Sequence, residues 1–123
     1  MRVLVFGERS EFFLGLLRDR GVDAAAADAP AGDALAAADV VLLAAPHGAP
    51  LPNAAWDVLA AGCLLVAPRA EPRYGLEPGI DHLSAGTDGE LADLAAAAVT
   101  FPGAFEPVVA MGGVMAQARS PSA

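Results

Sequence analysis

Three stretches of this chain carry residue types that can do chemistry. His47 follows an apolar run, Val40 to Ala45, and stands in the loop Pro46 to Asn53. An imidazole that titrates near neutrality there suits acid–base work. The plainer reading is a loop residue, because no second His, Cys or Ser accompanies it, and His82 is too remote to share metal-ligand spacing with it. Gly7-Glu8-Arg9-Ser10 follows the first apolar run and opens a helix, where an anion can dock on unsatisfied amides. It lacks the three glycines of a dinucleotide fingerprint and the Gly-Lys-Ser/Thr of a P-loop. Arg69 and Arg73 follow a third apolar run and either face a phosphate or are solvated loop cations. Asp57 stands near a helix N-terminus, where the helix dipole favours an acid whatever its role. Trp56 reads as a core or interface residue and Cys63 as a core residue.

The elements that must position these residues are legible. Val40 to Ala45 and Cys63 to Ala67 are short apolar runs closed by Pro46 and Pro68, the pattern of strands covered on both faces. Between them Asn53 caps a helix over Ala54 to Ala61, and Gly62 supplies its left-handed stop. Strand, loop, helix and strand make a right-handed βαβ unit. The ligand crevice of such a sheet lies beyond the carboxyl ends of its strands, here Pro46 to Asn53.

Arg2 to Phe6 is the first strand, and Gly7 turns the chain. Ser10 caps a helix carrying Phe12, Phe13, Leu16 and Leu17 on one face, which Gly21 ends. Val22 to Ala29 reads as a short edge strand, although its alanines favour helix equally. Asp33 caps a short helix over Ala34 to Ala38, and Ile80 to Ala85 holds a last strand. Thr87-Asp88-Gly89-Glu90 has capping-box spacing, ahead of a helix that buries Leu91, Leu94, Ala95 and Ala98. Pro107 suits the first turn of a final helix, which Gly112-Gly113 weakens by about 2 kcal/mol relative to a pair of alanines. The expected fold is α/β: a three-layer α/β/α sandwich, Rossmann-like, with a mostly parallel sheet of four to five strands. One domain covers residues 1–119, and residues 120–123 form a frayed tail. The first and central strands should lie side by side in mid-sheet, with the Cys63 strand beside the latter.

Composition narrows the function classes. The chain has 123 residues, 55% of them hydrophobic and 18% charged, enough for a real core. Its formal charge is −8, and its seven basic residues are all arginine. An acidic domain with no basic stripe argues against nucleic acid and anionic membrane as partners. No apolar run approaches the roughly 18–20 residues of a membrane span, and Met1-Arg2-Val3 leads into a strand rather than a signal peptide. A cytoplasmic protein is expected. A single cysteine excludes a disulfide framework.

Asp39-Val-Val-Leu-Leu43 and Pro46, then Asp57-Val-Leu-Ala-Ala-Gly62-Cys-Leu-Leu-Val66, resemble the carboxyl-terminal half of a GT-B group-1 glycosyltransferase. Leu76-Glu-Pro-Gly79 and Asp88-Gly-Glu-Leu-Ala-Asp-Leu94 continue the likeness, and Phe105 to Ser120 fits the closing helix. The similarity runs from about Ala38 to Ser120 and is especially to the short, spore-maturation-like variants. The resemblance implies that this half binds the nucleotide of an activated sugar. It places Asp57 at the second of two carboxylate positions, where it can accept two ribose hydroxyls. The first falls on Ala49. It places Gly48 to Asn53 at the diphosphate-binding loop, where Pro50 and Pro52 have no N–H to offer. On this resemblance the family's basic pair would belong to a strand and helix ahead of Met1, and its amino-terminal acceptor domain is expected to be absent.

The expected site therefore joins Gly7, Ser10, Gly48, Asn53 and Asp57 as nucleotide ligands, with His47 as a weak catalytic candidate and no metal or cofactor. The expected function is a reduced glycosyltransferase-like domain that binds a nucleotide or nucleotide-sugar and acts with a partner, as a homodimer or in a complex. A non-catalytic accessory protein on the same fold is the alternative. A receiver-like signalling domain also fits the length, but Pro46-His47 stands where it needs an Asp, and the chain has no Lys.

Overall fold

The computed structural model describes residues 2–27, 32–45, 54–69, 76 and 78–119. Its strands are β1 (Val3–Phe6), β2 (Ala24–Ala27), β3 (Val40–Leu43), β4 (Leu64–Pro68) and β5 (Leu83–Ala85). They form a parallel sheet in the order β2-β1-β3-β4-β5. Val3 lies opposite Val40, and Val40 opposite Leu64, so the most continuously apolar runs are neighbours. Every residue of β1, β3 and β4 is buried, as strands covered on both faces require. Of the alanines of β2, three are partly buried and Ala26 is exposed, because β2 is an edge.

Helices α1 (Ser10–Asp19) and α4 (Asp88–Thr100) cover one face. There Phe13, Leu17, Leu91 and Ala95 meet Val3, Val5, Val40 and Leu42. Helices α2 (Gly32–Ala36) and α3 (Ala54–Ala60) cover the other, where Leu35, Val58 and Leu59 meet Leu4, Val41, Leu43 and Leu65. Alternate strand residues thus feed two separate cores, which is the three-layer sandwich expected. After a 3-10 turn at Pro102–Phe105, α5 (Glu106–Arg119) leaves at 114° to α4. Its Val108 and Val109 pack on the first core, and its Met115 and Ala116 on the second. No single described helix is long and apolar enough to cross a membrane.

Several local expectations hold. Gly21 and Gly62 adopt φ of +72° and +79° at helix ends. Thr87 Oγ1 accepts the Glu90 N–H at 3.3 Å, the expected cap, and donates to Glu90 Oε1 at 3.0 Å. Others need correction. Ser10 is not the cap of α1: Arg9 holds that position, and the Ser10 hydroxyl donates to the Gly7 carbonyl at 2.7 Å. The last strand starts at Leu83, not Ile80. Ile80 is 49% exposed, whereas Asp81 and His82 are buried. In α4, Ala92 is fully buried and Leu94 only partly. Phe12 points outward at 48% exposure, leaving Phe13, Leu14 and Leu17 to face the core.

Gly112 explains why α5 tolerates glycine in mid-helix. A Cβ there would lie 2.8 Å from Leu59 Cδ2 and 2.9 Å from the Asp81 carbonyl oxygen. The residue that weakens the helix is the one that lets it dock against α3 and the segment entering β5.

Candidate functional site

The strand order reverses between β1 and β3. The connection leaving β1 becomes α1 on one face, and α3, which follows β3, lies on the other, so a crevice opens between them at the carboxyl ends. Gly7 forms its floor. Its φ is +122°, and a Cβ would stand 2.5 Å from the Ala44 carbonyl oxygen. The turn presses directly on the exit of β3: the Ala44 N–H donates to the Phe6 carbonyl at 2.7 Å and the Arg9 N–H to the Ala44 carbonyl at 3.3 Å. Only glycine permits that approach.

On the β2 side, Gly7, Glu8, Ser10, Glu11, Ala26 and Ala27 line an open cleft of about 660 Å³. Gly7 and Ser10, expected as ligands, are thus brought together. His47, Gly48 and Asn53 lie outside the described residues, as does Arg73. Asp57 is exposed in the first turn of α3 and is not among the residues lining this cleft.

The electrostatics of the cleft differ from what the Gly7 to Ser10 stretch suggests. Arg9 does not project into solvent to meet an anion. Its Nη2 bonds Asp88 Oδ2 at 2.8 Å, and its guanidinium lies 4.7 Å from the ring centre of Phe12 and 5.6 Å from that of Phe13. The lining charges are therefore the carboxylates of Glu8 and Glu11, set against the positive end of α1. Carboxylates accept hydrogen bonds and donate none, so this side suits a ligand rich in hydroxyl groups. Sequence reasoning missed the pair. The available signal was the Glu8–Glu11 spacing, which brackets the start of α1.

Elsewhere the singled-out residues are structural. Cys63, just ahead of β4, is buried and donates its Sγ–H to the Ala38 carbonyl at 3.3 Å. Burial, with a smaller contribution from Asp39, pushes its thiol up from the ordinary value of 9.0. Trp56 packs partly buried against the second core. His82 Nδ1 and Asp81 Oδ1 are 2.6 Å apart, and both residues are buried. Their place ahead of β5 puts them at the amino-terminal end of the sheet, away from the crevice. Among the described residues no group of three or more His, Cys, Asp and Glu is placed to hold a metal ion.

No family model and no curated protein matches the sequence. Among solved structures, the chain is similar to Anabaena HepE in complex with UDP-glucose, with a TM-score of 0.65 at 19% identity. The match covers 95% of this chain and 36% of the HepE chain. At that identity the likeness is one of fold. It agrees with the Rossmann-like class and with the fold that the glycosyltransferase resemblance implies, and it does not test the likeness to the spore-maturation-like variants.

Proposed function

We propose that this chain binds a nucleotide or nucleotide-sugar where β1 and β3 end, and acts in glycosyl transfer only with a partner that supplies the rest of the site. The observation that carries this reading is the fold shared with HepE, which is described in complex with UDP-glucose. The strand-order reversal between β1 and β3, and the open cleft beside it on the β2 side, support it. Asp57 is proposed to take ribose hydroxyls, and Gly7 and Ser10 to bound the same crevice. The isolated chain is proposed to lack turnover, because Ala49 stands at the first of the two expected carboxylate positions and cannot accept hydrogen bonds from the sugar.

Calorimetric titration with UDP-, dTDP- and GDP-sugars tests the reading. One of them should bind, and Asp57→Ala should weaken it by roughly tenfold or more for each charge-assisted bond lost. Binding unchanged by Asp57→Ala, or sugar transfer by the chain alone, would refute it. On this reading the chain works in the cytoplasm as a homodimer or in a complex. A strict monomer in light scattering with no co-purifying protein counts against that. A second reading, an accessory protein with no nucleotide, draws on the two prolines of the loop and on the acidic cleft lining. It prevails if no sugar nucleotide binds.

A further inference from the structure

A nucleoside diphosphate needs a cation, and the described residues leave few choices. Arg2 lies within 4.0 Å of Asp23 at the amino-terminal end of the sheet. Arg18 and Arg20 belong to the far end of α1, and Arg20 bonds Asp93 at 2.7 Å. Arg9 starts α1 beside the crevice, but Asp88 and two phenyl rings already hold its guanidinium. Arg69 differs from all of these. It is the residue immediately after β4, at the carboxyl end of the sheet, and its side chain is exposed. Its backbone N–H donates to the Ala85 carbonyl at 3.2 Å, so the main chain is tied to β5 while the guanidinium is left to solvent. No carboxylate among the described residues pairs with it. Adjacent strands lie about 4.8 Å apart, so Arg69 stands one strand from the exit of β3 and about 10 Å from the Gly7 turn. That is within the reach of a long side chain toward a ligand at the reversal point.

We infer that Arg69 is the cation that meets the diphosphate of the bound nucleotide, and that Arg9, at the start of α1, is a structural clasp. The inference rests on the nucleotide-binding reading above. It also accounts for a site whose other charged lining is acidic: Glu8 and Glu11 repel phosphate, so the diphosphate is held on the β4 side of the reversal point. A guanidinium can hold two phosphate oxygens at once.

The test uses the full chain with UDP and with uridine, which share base and ribose and differ in the diphosphate. Wild type should bind UDP at least tenfold more tightly than uridine at low salt, and added salt should narrow that gap. Arg69→Gln should bring UDP down to the affinity of uridine without changing uridine itself, and Arg69→Lys should restore part of the difference. Arg18→Gln, an equal change of net charge at an exposed position of α1, should leave the UDP-to-uridine ratio as it is. Arg9→Gln should lower the melting temperature and keep the ratio. A ratio that survives Arg69→Gln overturns the assignment while leaving nucleotide binding intact. A ratio abolished by Arg9→Gln in a folded protein moves the role to Arg9. If wild type binds neither UDP nor uridine, the nucleotide reading fails and the Arg69 assignment falls with it.

Discussion

Replacing Gly7 by Ala tests how the β1 turn and the β3 exit are fitted together. At Gly21, φ is +72° and nothing lies within 4 Å of an added Cβ, so Gly21→Ala pays only for backbone conformation. A left-handed residue other than glycine costs about 1–2 kcal/mol, and stiffening of the unfolded chain returns about 0.4–1 kcal/mol. Gly21→Ala should therefore cost about 1 kcal/mol. At Gly7 the same kind of conformational cost arises at φ +122°, and three atoms of Ala44 lie 2.5, 2.9 and 3.3 Å from the new Cβ. All three are main chain, so no side-chain rotation relieves the contact. Overpacking in a tightly fitted interior typically costs about 1–3 kcal/mol, which brings Gly7→Ala to about 3 kcal/mol or more. That is a large share of the roughly 5–15 kcal/mol stability of a domain. Urea unfolding followed by far-ultraviolet circular dichroism measures both variants, and an unchanged m-value shows that stability alone has moved. If Gly7→Ala falls within about 0.5 kcal/mol of Gly21→Ala, the close approach is not what requires glycine, and the reasoning fails.

Gly112→Ala should destabilise by about 1–2 kcal/mol, because overpacking against Leu59 and Asp81 outweighs the gain in helix propensity. Gly113→Ala meets nothing within 4 Å and should be neutral or stabilising, so thermal melts that rank the two in the other order refute the docking argument. Asp81 and His82 should be coupled by about 0.5–3 kcal/mol in a double-mutant cycle of Asp81→Asn and His82→Gln. Additive losses would show that their 2.6 Å contact contributes nothing. Cys63 carries a pH prediction. The folded protein holds the thiol proton more tightly than the unfolded chain does, so the associated stability is fully present below the unfolded thiol's pKa. It is lost as pH rises from there through the folded pKa. Unfolding curves across that alkaline range should fall more steeply for wild type than for Cys63→Ser, and identical slopes would show that burial does not protect the thiol.

Much of the scaffold was legible because its signals are local. An apolar run without a polar break, as in Val40 to Leu43, has no face to offer water and must lie mid-sheet. Caps and stops are equally local: Thr87 reaches Glu90 three residues away, and Gly62 needs only its own φ. These cues set the α/β class and the adjacency of β1, β3 and β4.

Tertiary structure decided what depended on residues far apart in sequence. Ile80 looked like the first residue of a strand and is exposed, while the more polar Asp81 and His82 are buried beside it. Hydrophobicity along the chain cannot foresee that, since α5 closes over the Asp81 segment through Gly112 and the two polar side chains hydrogen-bond each other. Arg9 lies in the Gly7 to Ser10 stretch where an anion was expected to dock, yet Asp88, 79 residues away, is brought to its guanidinium by the packing of α1 on α4. Side-chain chemistry by itself names which groups can carry charge. Which of those charges are already neutralised, and which still face the crevice, follows from contacts that exist only once the sheet has gathered its helices.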